Sequence, residues 1–431
     1  MIQSIRRVKK LGGTVSLPGD KSISHRYALL AAISAGPSLL HHFGSSHDCH
    51  STLRCLRALG VELAESGESV IISGRGLRGL LPPGQPLDAG NSGTTIRLLA
   101  GILAGHPFES SIGGDPSLSG RPMGRIIAPL KLMGASIESR EKGLPPLKIR
   151  GGSLNRIRYS LPVASAQVKS CVLLAGLYGD GISGVEETVP TRDHTEIALR
   201  QFGGWVKNRG AWIEVGPDPP LKGQSLEIPG DLSSATFFVV AAMLLPGSKI
   251  VLPAVGLNPR RRALLDYLES AGADFHIENA TESGGEVRGD LRMRSDTSIA
   301  GSKLPPIQGQ SVAALIDEIP ALAVLGSQFD GGLEISDAGE LRIKESDRLA
   351  ALAANLRAMG AEVDEKPDGL KIAGRQRLKG ADIDTRGDHR IAMAFAIAGL
   401  VADGETRIRD AECANVSFPG FWETLTEAAE L

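Results

Sequence analysis

One phrase recurs six times along the chain and constrains its fold more than any other feature. Each copy begins with polar residues, continues as an apolar stretch rich in Ala and Leu, and closes on a glycine. The copies are KSISHRYALLAAISAG, NSGTTIRLLAGILAG, SAQVKSCVLLAGLYGDG, DLSSATFFVVAAMLLPG, DEIPALAVLGSQFDGG and GDHRIAMAFAIAGLVADG. Their closing glycines are Gly36, Gly105, Gly181, Gly247, Gly332 and Gly404. Self-similarity at a nearly regular interval predicts an architecture built from repeated units.

A second phrase alternates with the first and completes the repeat. It reads as a helix end, a glycine turn and a β-strand, and its copies are LRALGVELAE, LKLMGASIES, LRQFGGWVKN, LESAGADFHI and LRAMGAEVDE. Several copies are followed by another short strand. The sequence therefore predicts an α/β fold of six helix-strand repeat units of about 70 residues, with apolar helices buried between sheets.

The length and two Pro-Gly turns predict how these repeats are divided. A chain of 431 residues is too long for one ordinary core, so two or more domains are expected. The Pro-Gly turns LPGD and IPGD, near residues 18–19 and 229–230, precede the first and the fourth repeat and so separate the first three repeats from the last three. We therefore expect three repeats in each of two domains: a first domain, 19–229, and a second domain, 1–18 plus 230–431.

The composition excludes several classes of partner. The chain is 42% hydrophobic with a formal net charge of −2, which argues against nucleic acid and against a membrane surface. Its longest apolar run, 391–402, is shorter than the roughly 20 residues that span a bilayer. The four cysteines form no CxxC pair, so a reducing, cytoplasmic setting is expected.

The starts of the apolar helices carry an unusual set of charged and polar residues. Free N–H groups at a helix start favour anions, although Asp20 breaks the pattern of a phosphate-binding P-loop. Plain N-capping, which we expect of Ser233 and Ser234, does not explain repeated cations at buried helix ends. The pattern predicts a cleft for a small, multiply anionic substrate, and the residues are Lys21, Ser22, Arg26, Asn91, Arg97, Ser165, Gln167, Lys169, Asp317, His389 and Arg390.

Two further patterns suggest ligand sites that we do not expect to form. The GxGxxG match at 74–79 precedes LLPPGQP, which cannot begin the helix that a dinucleotide needs. The histidine-rich segment 41–50 fits no standard zinc spacing, so we interpret it as a surface loop and expect no metal.

Six motifs in order resemble the 3-phosphoshikimate 1-carboxyvinyltransferase (EPSP synthase) family, from about residue 10 to residue 425. They are LPGDKSISHR, GNSGTTIRLLAG, GDPSLSGRPMGRI, SAQVKS, LRIKESDRL and GDHRIAMAF. The resemblance implies a two-domain inside-out α/β barrel. It also implies transfer of the enolpyruvyl group of phosphoenolpyruvate to the 5-hydroxyl of shikimate 3-phosphate, with no metal or organic cofactor. We expect a monomer.

The resemblance also implies a role for individual residues. Asp317 matches the base that takes the 5-hydroxyl proton, Glu345 a second acid/base carboxylate, and Lys21 a lysine shared by both substrates. The residues matched to shikimate 3-phosphate are Lys21, Ser22, Arg26, Ser165, Ala166, Gln167, Arg192, Asp317 and Lys344. Those matched to phosphoenolpyruvate are Lys21, Gly93, Arg121, Gln167, Arg348 and Arg390.

The chain departs from parts of the family pattern, and alternatives remain. Val416 stands near a place where some members carry a lysine, and NPRR at 258–261 stands where the class II subgroup, which SAQVK otherwise resembles, carries Asn-x-Thr-Arg. An enolpyruvyl transferase acting on UDP-N-acetylglucosamine is disfavoured by Ser22 and Arg26, and because Met123 stands where that enzyme has a reactive cysteine. A non-catalytic anion-binding clamp is disfavoured by the carboxylates among the cations. In the family the herbicide glyphosate occupies the phosphoenolpyruvate site, and the retained Gly93 favours sensitivity to it.

Overall fold

The computed structural model describes residues 1–295 and 303–430. Within these ranges the chain divides into two compact units. The N-terminal unit comprises Gly19–Ile228 and Glu282–Glu286. The C-terminal unit comprises Met1–Pro18, Pro229–Thr281 and the described residues from Val287 onward. The division of the chain into two domains stays a prediction.

The N-terminal unit contains the first three repeats. Before it, residues 1–18 supply β1 (Ile2–Arg6) and β2 (Lys10–Thr14) to the C-terminal unit. The first repeat comprises α1 (Lys21–Ala32), β3 (Ala35–His41), α2 (His47–Ala58), β4 (Glu62–Ser66) and β5 (Ser69–Arg75). The second comprises β6 (Leu87–Asp88), α3 (Gly93–Ala104), β7 (Glu109–Gly113), α4 (Pro116–Ser119), α5 (Gly124–Leu132), β8 (Ser136–Arg140) and β9 (Leu144–Arg150). The third comprises β10 (Arg158–Ser160), α6 (Ala166–Gly176), β11 (Ser183–Glu186), α7 (His194–Gln201), β12 (Val206–Arg209), β13 (Trp212–Val215) and β14 (Ser225–Glu227).

The sheets of the N-terminal unit share one topology. Their strand orders are β14-β3-β5-β4, β6-β7-β9-β8 and β10-β11-β13-β12. In each sheet the first pair of strands is parallel and the other pairs are antiparallel. The same plan therefore recurs in each of these repeats, as the alternating phrases predict.

The C-terminal unit holds the other repeats. The fourth repeat comprises α8 (Leu232–Leu244), β15 (Lys249–Gly256), α9 (Ala263–Ser270), β16 (Asp274–Ser283) and β17 (Glu286–Arg294). The described part of the fifth comprises α10 (Gln310–Leu315), α11 (Ile319–Gln328), β18 (Leu333–Ile335), α12 (Arg348–Ala358), β19 (Val363–Lys366) and β20 (Gly369–Ile372). The sixth comprises β21 (Asp382–Ile383), α13 (His389–Gly399), β22 (Glu405–Arg409), α14 (Phe421–Ala428) and β23 (Ala429–Glu430). Among the described residues of this unit the sheets have the orders β16-β17-β15-β2-β23, β18-β20-β19 and β1-β22-β21.

The apolar helices of the repeats form the cores of the two units. Every residue of α13 is buried, and α8 is buried along all but its last residue. In the N-terminal unit α3 packs against α6, and in the C-terminal unit α13 packs against α8 and α11. The mixed α/β fold is confirmed, and the most apolar repeat helices are buried along nearly their whole length. In the described part of the chain no helix is long and apolar enough to cross a membrane.

A glycine allows the closest approach between two of these helices. A Cβ atom placed on Gly101, in the middle of α3, would lie 2.3 Å from the carbonyl oxygen of Cys171 in α6. That distance is far inside van der Waals contact, so any larger residue would force the helices apart. The close contact holds the starts of α3 and α6 in fixed relation to each other, and both starts carry predicted site residues.

The turn between β16 and β17 is an exception to the predicted division. Gly284 and Gly285 form it with φ angles of +61° and +78°, which favour glycine. Residues Glu282–Glu286 group with the N-terminal unit, although both strands belong mainly to the C-terminal unit. Within the N-terminal unit, Glu286 Oε1 lies 2.6 Å from His194 Nδ1, which is hydrogen-bonding distance. The sequence contains no signal for this placement.

We predict that His25 makes the stability of the protein depend on pH. Burial first, and then the nearby Lys21 and Arg26, hold the pKa of His25 well below 6.5. The unfolded chain therefore takes up a proton that the native state excludes, so the free energy of unfolding should fall as pH drops from about 7.5 to about 5.5, by at most about 1.4 kcal/mol per pH unit from this group. His25→Asn, which can keep the hydrogen bond to Thr52, should show a smaller fall.

Denaturant unfolding at a series of pH values measures this difference. His276→Asn is the matched control, because its side chain is 72% exposed and should leave the pH dependence as it is in the parent chain. An identical pH dependence for His25→Asn and the parent chain would contradict the prediction.

Candidate active site

Most of the repeat helices are capped by a side chain, but α8 is capped by Asp231 and not by the predicted Ser233 and Ser234, and α11 has no side-chain cap. In the N-terminal unit the side chains of Asp20, Ser92 and Ser165 accept hydrogen bonds from the first turns of α1, α3 and α6. In the C-terminal unit Asp347 and Asp388 cap α12 and α13 in the same way. Asp20, which excludes a P-loop, is therefore a capping residue. The remaining N–H groups and the helix dipole make each start favourable for an anion.

Lys21, the first residue of α1, pairs with Asp48 in the first turn of α2. Its Nζ lies 3.1 Å from Asp48 Oδ2, and the two side chains are 16% and 8% exposed. The ammonium thus reaches solvent on one side and is held by a carboxylate on the other. Asp48 is therefore the residue of the histidine-rich segment that pairs with a predicted site residue. Among residues 1–295 and 303–430 no group of three or more His, Cys, Asp or Glu side chains is arranged to hold a metal.

Arg26 lies one turn further along α1 and is almost completely buried. Its Nε donates to Thr195 Oγ1 at 2.7 Å, one terminal nitrogen donates to the Ser22 carbonyl at 2.8 Å, and the other donates to Ser170 Oγ at 2.9 Å. Burial lowers the pKa of Arg26 to about 10, partly opposed by Glu196. The guanidinium therefore connects α1 to α6 and α7, and its direct contact with shikimate 3-phosphate stays a prediction.

The start of α3 brings several residues matched to phosphoenolpyruvate close together. Arg97 Nη1 donates to Gln167 Oε1 at 2.8 Å, and Gln167 Nε2 donates to Thr94 Oγ1 at 2.9 Å. A Cβ atom on Gly93 would lie 2.5 Å from Arg97 Nη1 and 3.5 Å from Arg121 Nη1. The backbone at Gly93 is therefore close to two guanidinium groups, which suits a phosphate or carboxylate.

Arg121 is held in place by the loop before α3. Its terminal nitrogens donate to the side-chain oxygen of Asn91 at 2.7 Å and to the Asn91 carbonyl at 3.2 Å, and one also donates to Ser117 Oγ at 2.9 Å. Asn91 in turn donates to Asp115 at 2.7 Å. Asn91 thus orients a cation, which differs from the direct anion contact that its place at a helix start suggested.

The start of α6 places Ser165, Ala166 and Gln167 together and half-buried. Arg192, also half-buried, lies in the segment between β11 and α7. Lys169 does not face a cleft, contrary to its prediction as a cation for the substrate. Its side chain has no exposed surface, and its Nζ lies 3.0 Å from Glu187 and 2.7 Å from Glu196. Spacing along a helix does not reveal this, because both carboxylates are distant in sequence.

In the C-terminal unit Asp317 lies among cations. Its carboxylate is 3.8 Å from Lys344 Nζ, 3.6 Å from Arg348 Nη1 and 4.0 Å from Arg390 Nη2. Arg390 also donates to the Asp317 carbonyl at 2.5 Å. Nearby cations favour the ionised carboxylate, which is the form that can accept a proton. The structure therefore brings together the proposed base and the residues that the resemblance matches to anionic groups.

Arg348 is held by two further carboxylates. Its Nε donates to Asp388 Oδ2 at 2.8 Å, and a terminal nitrogen donates to Glu345 Oε2 at 2.6 Å. Burial lowers the pKa of Arg348, but the carboxylates of Asp388, Glu345 and Asp317 outweigh it and raise the pKa above its usual value. Asp388 is a site residue that motif reasoning missed, although its position before an apolar helix marks it as an N-cap. Val416, at which the chain departs from the family pattern, is the last residue of a 3₁₀ turn at Ala411–Val416.

Comparison with known proteins identifies the family. Residues 5–425 match the family described as EPSP synthase (3-phosphoshikimate 1-carboxyvinyltransferase). The chain is 51% identical over 430 residues to a 3-phosphoshikimate 1-carboxyvinyltransferase of Solibacter usitatus, covering 100% of both chains, and 48% identical to one of Pelotomaculum thermopropionicum, covering 98% of both. It superposes on the solved EPSP synthase of Acinetobacter baumannii with a TM-score of 0.87 at 40% identity, covering 99% of this chain and 98% of that one. The chain therefore belongs to the EPSP synthase family.

Proposed function

We infer that this chain is a transferase that moves the enolpyruvyl group of phosphoenolpyruvate to the 5-hydroxyl of shikimate 3-phosphate, and we propose which residues do so. The observation that carries the assignment of residues is the Asp317 carboxylate, which lies within 4.0 Å of Lys344, Arg348 and Arg390. An ionised base beside cations suits a reaction in which a hydroxyl must be deprotonated while anionic groups are held next to it.

To the binding of shikimate 3-phosphate, the acceptor, we assign residues at the starts of helices and in the segment before α7. These residues offer hydroxyls, N–H groups and cations to a ligand with one phosphate and one carboxylate. Their assignment rests on the resemblance, and the half-buried positions of Lys21, Ser22 and Arg192 support it. The set is Lys21, Ser22, Arg26, Ser165, Ala166, Gln167, Arg192, Asp317 and Lys344.

For phosphoenolpyruvate, we assign a second set of cations with one glycine. The bare backbone at Gly93, next to Arg97 and Arg121, supports close approach of an anionic oxygen. Gln167 is held by Arg97 and Thr94, so its orientation is defined before a ligand binds. The set is Lys21, Gly93, Arg121, Gln167, Arg348 and Arg390.

The chemistry needs one addition and one elimination. In the addition, the 5-hydroxyl oxygen forms a bond to C2 of phosphoenolpyruvate, Asp317 takes the hydroxyl proton, and C3 receives a proton. In the elimination, the C2–O bond to phosphate breaks and C3 loses a proton, so phosphate leaves and the vinyl group returns. Glu345, which pairs with Arg348, is the second acid/base candidate, and Lys21 stabilises the developing negative charge. The reaction requires neither a metal nor an organic cofactor.

We also propose that the chain works as a monomer in the cytoplasm, without nucleic acid or membrane partners. The formal net charge of −2 supports the absence of polyanionic partners. Cys49, Cys55, Cys171 and Cys413 are all free thiols, which supports a reducing compartment.

The first of three predictions from the proposed function concerns the acceptor. Phosphoenolpyruvate should release phosphate with shikimate 3-phosphate and should release none with UDP-N-acetylglucosamine. A phosphate-release assay with each acceptor in turn measures this. Phosphate release with the UDP-sugar, or none with shikimate 3-phosphate, would overturn the proposed function.

The second prediction concerns the base. Asp317→Asn should lower kcat by about a hundredfold or more, because it removes the proton acceptor while keeping shape and hydrogen bonding. The KM for shikimate 3-phosphate should stay within about threefold. Steady-state kinetics measure both, with Asp382→Asn as the control because its carboxylate pairs with Arg407 outside the site. Near-normal turnover would show that Asp317 is not the base, and Glu345→Gln then tests the next candidate.

The third prediction concerns Gly93 and glyphosate. A methyl group there would press on Arg97 and occupy space at the phosphoenolpyruvate site. Glyphosate is longer than phosphoenolpyruvate, so Gly93→Ala should weaken glyphosate inhibition by about tenfold or more and raise the KM for phosphoenolpyruvate less. Gly124→Ala is the control, because Gly124 also begins a helix but has open space around its Cβ position. Equal losses for the two ligands would show that Gly93 does not discriminate between them.

A further inference from the structure

Lys169 is a charged residue with no exposed surface, and the catalytic chemistry does not use it. It lies in the first turns of α6, and its Nζ is 3.0 Å from Glu187 Oε2 and 2.7 Å from Glu196 Oε1. The two carboxylates are 3% and 1% exposed. We call these three side chains the buried ion triad.

Stability alone does not explain the buried ion triad. Removing three charges from water costs several kcal/mol for each ion, and apolar residues of similar volume often give equal or greater stability. The geometry of a buried ion pair is, by contrast, well defined, because a displaced partner leaves a charge uncompensated. The triad is therefore suited to fixing positions.

The segment that the triad fixes is the one that carries Arg192. Glu187 follows the end of β11, and Glu196 lies in the first turn of α7, so one ammonium in α6 anchors both ends of residues 187–196. Glu187 Oε1 also accepts hydrogen bonds from the backbone N–H of Thr191, at 3.2 Å, and from the Thr191 hydroxyl. Arg192 is thus adjacent to a residue held directly by the triad.

The neighbours of the triad hold Arg26. Ser170 follows Lys169, Thr195 precedes Glu196, and their hydroxyl oxygens are 2.6 Å apart. Both accept hydrogen bonds from the Arg26 guanidinium. A shift of α7 relative to α6 would therefore displace the two acceptors of Arg26 as well as Arg192.

We propose that Lys169, through Glu187 and Glu196, is a positioning residue for the shikimate 3-phosphate site. It sets the place of Arg192 and Arg26, whereas Gly93 and Arg121, assigned to phosphoenolpyruvate, are held by other contacts. The proposal rests on the proposed function in assigning Arg192 to shikimate 3-phosphate. Loss of the triad should consequently weaken one substrate and not the other, which a purely structural role would not do.

The experiment replaces all three charges with neutral side chains of similar size. The variant Lys169→Met/Glu187→Gln/Glu196→Gln removes the ammonium together with both of its carboxylates and keeps hydrogen-bonding groups for Thr191. Its KM for shikimate 3-phosphate should rise by about tenfold or more, with kcat and the KM for phosphoenolpyruvate within about threefold. Steady-state kinetics with each substrate varied in turn measure this, and thermal unfolding checks that the variant is folded.

Glu196→Gln provides a second variant if the triple variant does not fold. It keeps the Lys169–Glu187 pair, and its KM for shikimate 3-phosphate should rise by about threefold or more. The control is Lys366→Met/Glu334→Gln, which removes an exposed ion pair of 2.8 Å and should leave both KM values unchanged. An unchanged KM for shikimate 3-phosphate in the folded variant, or an equal rise for both substrates, would overturn the proposal.

Arg192→Leu separates this proposal from the one on which it rests. If Arg192 contacts shikimate 3-phosphate, this variant also raises that KM, and a folded triple variant with a normal KM then overturns only the positioning role. If Arg192→Leu has a normal KM, the assignment of Arg192 fails, and with it the part of the positioning role that acts through Arg192.

Discussion

Apolar helices buried along nearly their whole length are the feature on which the rest of the molecule depends. In such a helix a charged side chain can reach a ligand only from the ends, because every lateral face packs against another helix or a sheet. The start of a helix also offers free N–H groups and the positive end of the dipole. Burial of the helices therefore places both kinds of positive charge, from the backbone and from side chains such as Lys21 and Arg390, at the same positions.

Cations at buried helix ends are paired with carboxylates. How much of each ion pair is exposed to solvent distinguishes two roles for these cations. Lys21 with Asp48 and Lys344 with Asp317 keep part of their surface exposed, so a ligand can add to the pair. Lys169 is enclosed with its carboxylates, so no ligand can reach it without unfolding the segment. Lysines near the starts of α1 and α6 therefore differ: Lys21 keeps exposed surface that a ligand can reach, whereas Lys169 is enclosed and, in our proposal, positions a loop.

The fold could be predicted well from the sequence because the repeats carry their own boundaries. In DKSISHR, SAQVKS and GDHR the capping residues Asp20, Ser165 and Asp388 directly precede the helices, and α1, α6 and α13 begin at Lys21, Ala166 and His389. The grouping of the β16–β17 turn with the N-terminal unit could not be predicted, because hydrophobic periodicity reports a strand's faces and not its distant partner. The pairing of Lys169 with Glu187 and Glu196 was hidden for the same reason.

The candidate site residues were predicted mainly from the family resemblance. The residues that orient them were not predicted. Motifs name the groups that meet a substrate, whereas the groups that orient them are scattered and of ordinary types. Asn91 orients Arg121, and Thr195 with Ser170 orients Arg26, yet none of these contacts is visible as a spacing in the chain. Local chemistry marks such residues only when they also cap a helix.

Asp388 shows how one such residue can join several parts of a site. Its Oδ1 accepts from the backbone N–H of Arg390 at 2.9 Å and so caps α13. Its carboxylate also accepts from Arg348 Nε at 2.8 Å and from Ser346 Oγ at 3.0 Å, which holds the start of α12. One fully buried carboxylate therefore holds both the guanidinium of Arg348 and the backbone at the start of α13, which carries Arg390. Their spacing cannot change without unpairing a buried charge, so the arrangement is set before any ligand arrives.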